Sequence, residues 1–315
     1  MRSSGSDLVA QAQVALAEFD AGETLSIAPL PAGSRTACKV RTTQGMFVLK
    51  PAYRVADVEL QAEVAELLNV RGIRQPLVLR ARSGEVVTSS GYFLQQFLAG
   101  SASEQPTPAQ IAAAMRHVGR YHRVLGQLPV AYQPDADSLW VRVADPDFLV
   151  NALPGLLARY GMADAATHAA LDFLYESRAG LAVLPRQVVH GDIGPDNVLM
   201  DADTVVALID FTPHLQSVLF AASSALYWYH VYGRQPVATS SLRTSVEAIG
   251  AERQWTDAEL SVWPAGLVAE ALRRLATTLE LARRSGARPG PSTGPRLAAV
   301  RGVAGVLPAL LADRR

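Results

Sequence analysis

Residues 188–200 read VVHGDIGPDNVLM. Val188 and Val189 lead into His190, Asp192, Asp196 and Asn197, and Val198-Leu199-Met200 leads out again. Short apolar runs on either side of a Gly/Pro-containing turn predict strand, loop, strand. Polar groups set between buried strands cost free energy unless they are paired or used. A third run, TVVALID (204–210), places Asp210 thirteen residues after Asn197. The spacing His190-x-Asp192-x-x-x-x-Asn197 therefore projects Asp192 and Asn197 to one side, and the next hairpin brings Asp210 beside them. Asn197 and Asp210 offer two hard oxygen donors, which suit Mg²⁺. Asp192, five residues before Asn197, can accept a hydroxyl proton during phosphoryl transfer. A plain solvated turn accounts for the glycines and the proline. It does not account for His, Asp and Asn at these offsets in a chain with three Asn and six His.

The rest of the composition is quiet. The 315 residues are 49% hydrophobic, enough for a large core, and length suggests one large or two ordinary domains. Formal net charge is zero and the pI is near 7.0, which argues against nucleic acid or an anionic membrane surface as partner. A single cysteine, Cys38, excludes an intrachain disulfide and suits a reducing compartment. No uninterrupted apolar run approaches the length of a membrane span, and the N-terminus lacks the apolar stretch of a signal peptide. The expectation is a soluble cytoplasmic protein. Basic residues are almost all arginine; Lys39 and Lys50 are the only lysines.

Along the chain, residues 7–19 have helical periodicity. LSIAPL (25–30), TACKVRTT (36–43) and GMFVLK (45–50) read as three antiparallel strands. In residues 55–72, Leu60, Val64, Leu67 and Leu68 mark one helical face, and Gly72 ends it. QPLVLRA (75–81) and VVTSSGYFLQQFLAG (86–100) return to strands. Beyond Gly100 the pattern is mostly helical: 107–128 behind a Thr107 cap, two helices in 146–180, then 215–233, 238–250, 256–286 and a last helix ending near Leu311.

HGDIGPDNVLM together with ALIDF resembles the aminoglycoside phosphotransferase / choline kinase-like family, of protein-kinase-like fold, in a divergent branch. The resemblance runs from about residue 22 to about 285. It implies an α+β, bilobal molecule: an N-lobe (1–98) with a five-stranded antiparallel sheet that binds nucleotide, and a larger, mainly helical C-lobe (99–315). The C-lobe would carry the catalytic loop and the acceptor site. It implies ATP and Mg²⁺, Asp192 as the catalytic base, and Asn197 and Asp210 on the metal. Lys50, late in the third strand, would hold the ATP phosphates, and Glu63 in the following helix would pair with it. Gly33 and Ser34 match the turn that covers the phosphates. Gln96 and Phe97 match the hinge that offers backbone hydrogen bonds to adenine.

Two departures stand out. The family carries His two residues after the catalytic Asp, where this chain has Gly194, and an Asp usual downstream is absent from LQSVLFAASSALYWYH. His122 and His190 read as scaffold behind the loop. Residues 240–315 hold eleven Arg against seven Asp and Glu, the wrong sign for gripping a polycationic aminoglycoside. The acidic cluster Asp135, Asp137, Asp145 and Asp147 around Trp140 could face a cationic acceptor or simply cap turns and helices. The expected activity is transfer of the ATP γ-phosphate to a hydroxyl of an antibiotic, sugar or amino alcohol. Alternatives are a peptide or natural-product intermediate as acceptor, and a non-catalytic ATP-binding scaffold. Intact Lys50, Asp192, Asn197 and Asp210 speak against the scaffold, which needs no general base.

Overall fold

The computed structural model describes residues 5–30 and 37–312. Helix α1 (Gly5–Leu16) sets Leu8, Ala12, Ala15 and Leu16 on one face. Strands β1 (Thr24–Pro29), β2 (Cys38–Thr42) and β3 (Gly45–Pro51) follow as antiparallel neighbours. Cys38, Val40, Phe47 and Leu49 form the face of this sheet that packs on α1. Strand alternation turns Lys39, Val48 and Lys50 to the opposite face. Helix α2 (Val55–Val70) then crosses, burying Val58 and Ala62 against the sheet and Leu60, Val64 and Leu68 against the helical core beyond.

Strands β4 (Val78–Leu79) and β5 (Tyr92–Gln96) complete a five-stranded antiparallel sheet of order β1-β2-β3-β5-β4. The strand expected over residues 75–81 shrinks to two residues. Gln75 is taken up in hydrogen bonds with Asn69, and Pro76 has no N–H to give a ladder.

The rest is mainly helical. Helices α3 (Pro108–Leu125), α4 (Leu139–Arg142), α5 (Pro146–Arg159) and α6 (Ala165–Ala182) precede strand β6 (Gln187–His190). Thr107 and Gln110 form a capping box at the start of α3, and Asp145 caps α5. The loop after β6 contains a short 3-10 turn, Pro195–Asn197. The hairpin of β7 (Val198–Asp201) and β8 (Thr204–Leu208) follows it. Strand β9 (Pro213–Gln216) pairs antiparallel with β6, so that Val188 faces Leu215 and Val189 faces His214. Helix had been expected from residue 215. Pairing with β6 keeps 215 and 216 extended, and helix α7 (Val218–Leu226) starts only afterwards, running into a π-helical turn at Tyr227–Val231. Helices α8 (Thr239–Glu252), α9 (Asp257–Ser285) and α10 (Thr293–Ala312) close the chain.

Helix α9 is central to this region: it packs on α5, α6, α7 and α10, and 19 of its 29 residues are buried. Helix α10 is long and apolar enough by length and composition to cross a membrane, with mean hydropathy 1.3. Its Val300, Val303, Leu307 and Leu310 pack into the core with α6 and α9.

The core also encloses histidines. Burial pushes His122 and His214 down to about 3 and His230 to about 4. All three are therefore neutral in the folded protein at neutral pH, whereas the unfolded chain protonates them near 6.5. As pH falls below that value the unfolded state takes up protons that the folded state refuses, so stability falls. The loss begins near pH 6.5 and runs down to about 4 for His230 and to about 3 for His122 and His214; by pH 5 it is on the order of 1–2 kcal/mol for each histidine. Thermal unfolding followed by circular dichroism at pH 7.5 and pH 5 should show a Tm lower by several degrees at the acid value. A Tm that rises towards pH 5 would contradict it.

Candidate active site

The β6 loop is shaped from behind by two histidines. His122 Nδ1 donates to the Val118 carbonyl at 2.9 Å, which leaves Nε2 to accept from the His190 N–H at 3.3 Å. His190 Nε2 in turn donates to the Ile209 carbonyl at 3.0 Å, and its Nδ1 accepts from the Asp192 N–H at 3.3 Å. One fully buried imidazole thus ties the loop to the segment that carries Asp210. Asp210 itself has a positive φ of 56°, a conformation uncommon outside glycine that Asp tolerates better than most.

Asn197 sits at the end of the 3-10 turn. Its Nδ2 donates to the Asp192 carbonyl at 2.8 Å, and its own carbonyl accepts from the Ile209 N–H at 2.9 Å. That leaves the Asn197 Oδ1 without a partner among the described residues. The Asp210 carboxylate is half-exposed and forms an ion pair with Lys50, which reaches across from β3. Lys50, Asn197, Asp192 and Asp210 therefore belong to one site. The Asn197 Oδ1 and the Asp210 carboxylate are the oxygens that could hold a divalent cation. Among the described residues no cluster of three His, Cys, Asp or Glu could serve as a metal cage. Two protein oxygens suit an ion that retains waters and binds substrate phosphates.

Asp192 is held from one side. Arg274 Nη2 donates to its Oδ1 at 2.8 Å and Trp228 Nε1 to the same oxygen at 3.3 Å. Oδ2 has no partner among the described residues. Burial raises the Asp192 carboxyl, yet Arg274, His190 and Arg273 together bring it below the usual carboxylate value, so it is ionised at neutral pH. The Arg274 guanidinium also lies over the Trp228 ring, 4.9 Å from its centroid. Neither Arg274 nor Trp228 was picked out from sequence. Trp228 reads as core within WYHVYG, and Arg274 as one of many arginines. The available signal was the run Glu270-Ala271-Leu272-Arg273-Arg274-Leu275: charged residues inside an apolar helix are seldom buried unless paired.

Trp228 also accounts for the Gly194 departure. A Cβ at Gly194 would stand 3.2 Å from the indole ring, so the ring takes up space beside the loop where a side chain would sit.

Other expected residues fall differently. Glu63 is exposed and makes no ion pair among the described residues; the partner of Lys50 is Asp210. The cause is helical phase. On α2 it is Gln61 that hydrogen-bonds to the sheet, donating to Gln95 Oε1 at 2.9 Å, and Glu63 lies about 200° further round the helix.

At the expected hinge, the Gln96 N–H donates to the Leu77 carbonyl at 2.8 Å and the Phe97 N–H to the Met46 carbonyl at 3.0 Å. Those two donors are spent on neighbouring chain segments and are not available to a purine, whereas the Leu98 N–H has no partner among the described residues. Lys39 lies over the Phe97 ring, 4.2 Å from its centroid. Gly33 and Ser34 fall in 31–36, outside the described residues.

Three carboxylates of the acidic stretch make local contacts: Asp135 accepts from the Asp137 N–H, Asp145 caps α5, and Asp147 pairs with Arg178 at 3.3 Å.

The sequence profile of the phosphotransferase enzyme family matches residues 26–213. Homoserine kinase of Bradyrhizobium sp. (strain BTAi1 / ATCC BAA-1182) is 28% identical over 281 residues, covering 84% of this chain and 82% of the relative. Among solved structures, a microcompartment-associated aminopropanol kinase aligns with TM-score 0.66 at 17% identity, covering 97% of this chain and 98% of its own. An amicoumacin kinase solved in complex with AMP-PNP, Ca²⁺ and Ami also aligns with TM-score 0.66, at 13% identity, over 97% of this chain and 95% of its own. Both likenesses show the protein-kinase-like fold.

Gly191 tests how tightly the loop is built. A Cβ there would meet the His214 ring at 2.0 Å. Gly191→Ala should therefore displace the loop or the imidazole, costing about 1–3 kcal/mol of stability, as overpacking does. Chemical denaturation should show a lower midpoint, whereas Gly155→Ala, in open space within α5 and without a positive φ, should cost nothing or stabilise slightly. Equal effects at the two positions would count against a close-packed loop.

Proposed function

The chain belongs to the phosphotransferase enzyme family and is a kinase acting on a hydroxyl acceptor; from that premise we propose that it transfers the ATP γ-phosphate to a small hydroxy amino acid such as homoserine. Asp192 is the base, Lys50 holds the nucleotide phosphates, and Asn197 and Asp210 hold Mg²⁺. The observation that carries this reading is the Lys50–Asp210 pair, which joins the sheet to the segment that His190 and Asn197 in turn tie to the loop bearing Asp192.

In the reaction, the acceptor oxygen attacks the γ-phosphorus as the bond to the β–γ bridging oxygen breaks. Asp192 receives the hydroxyl proton on Oδ2, the oxygen that Arg274 and Trp228 leave open. The Lys50 ammonium turns from Asp210 to phosphate. Mg²⁺, when bound, neutralises the charge on the transferring group.

The acceptor class follows from charge and from the relatives. Arg273 and Arg274 stand around the base, and Arg296 Nη1 donates to the Arg274 carbonyl at 3.1 Å. The Tyr227 hydroxyl, within electrostatic reach of Arg274 and Arg296, is buried without a partner, as is Arg296 Nε. Glu270 and Asp192 balance Arg273 and Arg274, so the charge that remains is that of Arg296, which pairs with no carboxylate among the described residues; that charge and the spare donors favour an acceptor carrying a carboxylate over a polycationic aminoglycoside. The homoserine kinase relatives point the same way.

Purified protein with Mg-ATP and L-homoserine should yield phosphorylated amino acid by mass spectrometry, with 1-amino-2-propanol and an aminoglycoside as comparison acceptors. Asp192→Asn should lower kcat by roughly 10³-fold or more while ATP KM stays within about threefold, because the base acts in the transition state. Undiminished turnover in Asp192→Asn removes the mechanism; transfer to the aminoglycoside but not to homoserine removes the acceptor class.

A further inference from the structure

Helix α9 carries three charged side chains on one face, at i, i+3 and i+4: Glu270, Arg273 and Arg274, of which the two arginines reach the catalytic loop. Glu270 is 2% exposed, Arg273 3% and Arg274 8%. Glu270 Oε2 accepts from Arg273 Nε at 2.6 Å, and Oε1 accepts from Arg273 Nη2 and from Arg274 Nε, each at 2.7 Å. One carboxylate between two guanidiniums leaves a buried excess of one positive charge, a costly arrangement without a further partner. Asp192 is that partner.

The grip covers three consecutive loop residues. Arg273 Nη2 donates to the Gly191 carbonyl at 3.2 Å. Arg274 Nη2 donates to Asp192 Oδ1 at 2.8 Å and to Ser224 Oγ at 3.0 Å. Ser224 Oγ also accepts from the Ile193 N–H at 3.2 Å.

We propose that Arg274, anchored by Glu270, is a positioning residue for phosphotransfer: it fixes the rotation of the Asp192 carboxylate so that Oδ2 alone meets the acceptor hydroxyl. The inference rests on Asp192 being the base. It needs the guanidinium fork rather than a point charge, since Nε is committed to Glu270 while Nη2 reaches Asp192 and Ser224. Lysine can make one of these contacts but not the set. The arginine acts through Asp192 and does not touch the reacting atoms.

The test is a double-mutant cycle with two readouts. Phosphotransfer to L-homoserine and hydrolysis of Mg-ATP are measured for wild type, Arg274→Ala, Arg274→Lys, Asp192→Asn and the Arg274→Ala/Asp192→Asn pair. Hydrogen exchange of the amides at 190–194 is followed in the same proteins without substrate. Arg274→Ala should lower kcat by about 10²-fold with ATP KM within about threefold, and Arg274→Lys should fall between. In the Asp192→Asn background the same alanine should add less than about threefold, because its target is gone. Exchange at 190–194 should quicken by about tenfold or more in Arg274→Ala while α3 and α6 keep their protection.

Equal losses in both backgrounds would mean a merely structural arginine and overturn the proposal, as would unchanged exchange at 190–194. If Asp192→Asn keeps full turnover, the assignment of the base fails by itself, and this proposal fails with it. If Asp192→Asn is inactive and Arg274→Ala is not, only this proposal fails. Should homoserine not be an acceptor, ATP hydrolysis and exchange still decide. Should Arg274→Ala not fold, Arg274→Lys and Trp228→Phe, which removes the other Oδ1 donor, give the same comparison.

Discussion

The loop that bears Asp192 turns on one ion pair: the Asp192 carboxylate, its side chain 39% exposed, against the buried guanidinium of Arg274 at 2.8 Å. The arginine is in turn kept from carrying an unbalanced charge by Glu270, and Arg273 shares that carboxylate while holding the Gly191 carbonyl. Taken together the four groups are neutral. The site and the helical core are thus one construction. The longest helix of the chain is both the spine against which α5, α6, α7 and α10 pack and the source of the charges that hold the catalytic loop.

The other half of the site depends on strand alternation. Because Cys38, Val40, Phe47 and Leu49 must face α1, the residues between them are turned the other way, and Lys39 and Lys50 emerge together on that side. Lys50 meets Asp210, and Lys39 meets the Phe97 ring. The two lysines of an otherwise arginine-based chain are thus placed on a single surface by the burial of their neighbours. An ammonium, compact and free to rotate, can exchange a carboxylate for phosphate oxygens without the fixed fork geometry of arginine.

Much of this was legible before any coordinates. The stretch 188–200 with Asp210 gave the loop, the hairpin after it and the residues that gather there, because the relevant geometry spans a few residues and apolar flanks declare the strands. The five-stranded sheet was readable for the same reason. Strand β9 was not, since Pro213–Gln216 has no strand pattern of its own and is extended only because β6 lies beside it. The family pattern in AEVAELL points to Glu63, but which α2 residue meets the sheet depends on the helix's rotation. That rotation is set by Val58 and Ala62 on one side and by Leu60, Val64 and Leu68 on the other. The hinge donors failed on similar grounds, because the N–H groups of Gln96 and Phe97 are consumed by Leu77 and Met46, residues distant in sequence.

The sequence by itself determined the elements whose causes are local: the alternating strands, the capped helices, the offsets within the catalytic loop, and hence the family and its chemistry. Tertiary structure alone decided which groups meet across the chain. Arg274 stands 82 residues from Asp192 and Asp210 stands 160 from Lys50. At such separations spacing carries no geometric information, and only the packing of α9 on the loop and of the sheet over the hairpin brings those charges together.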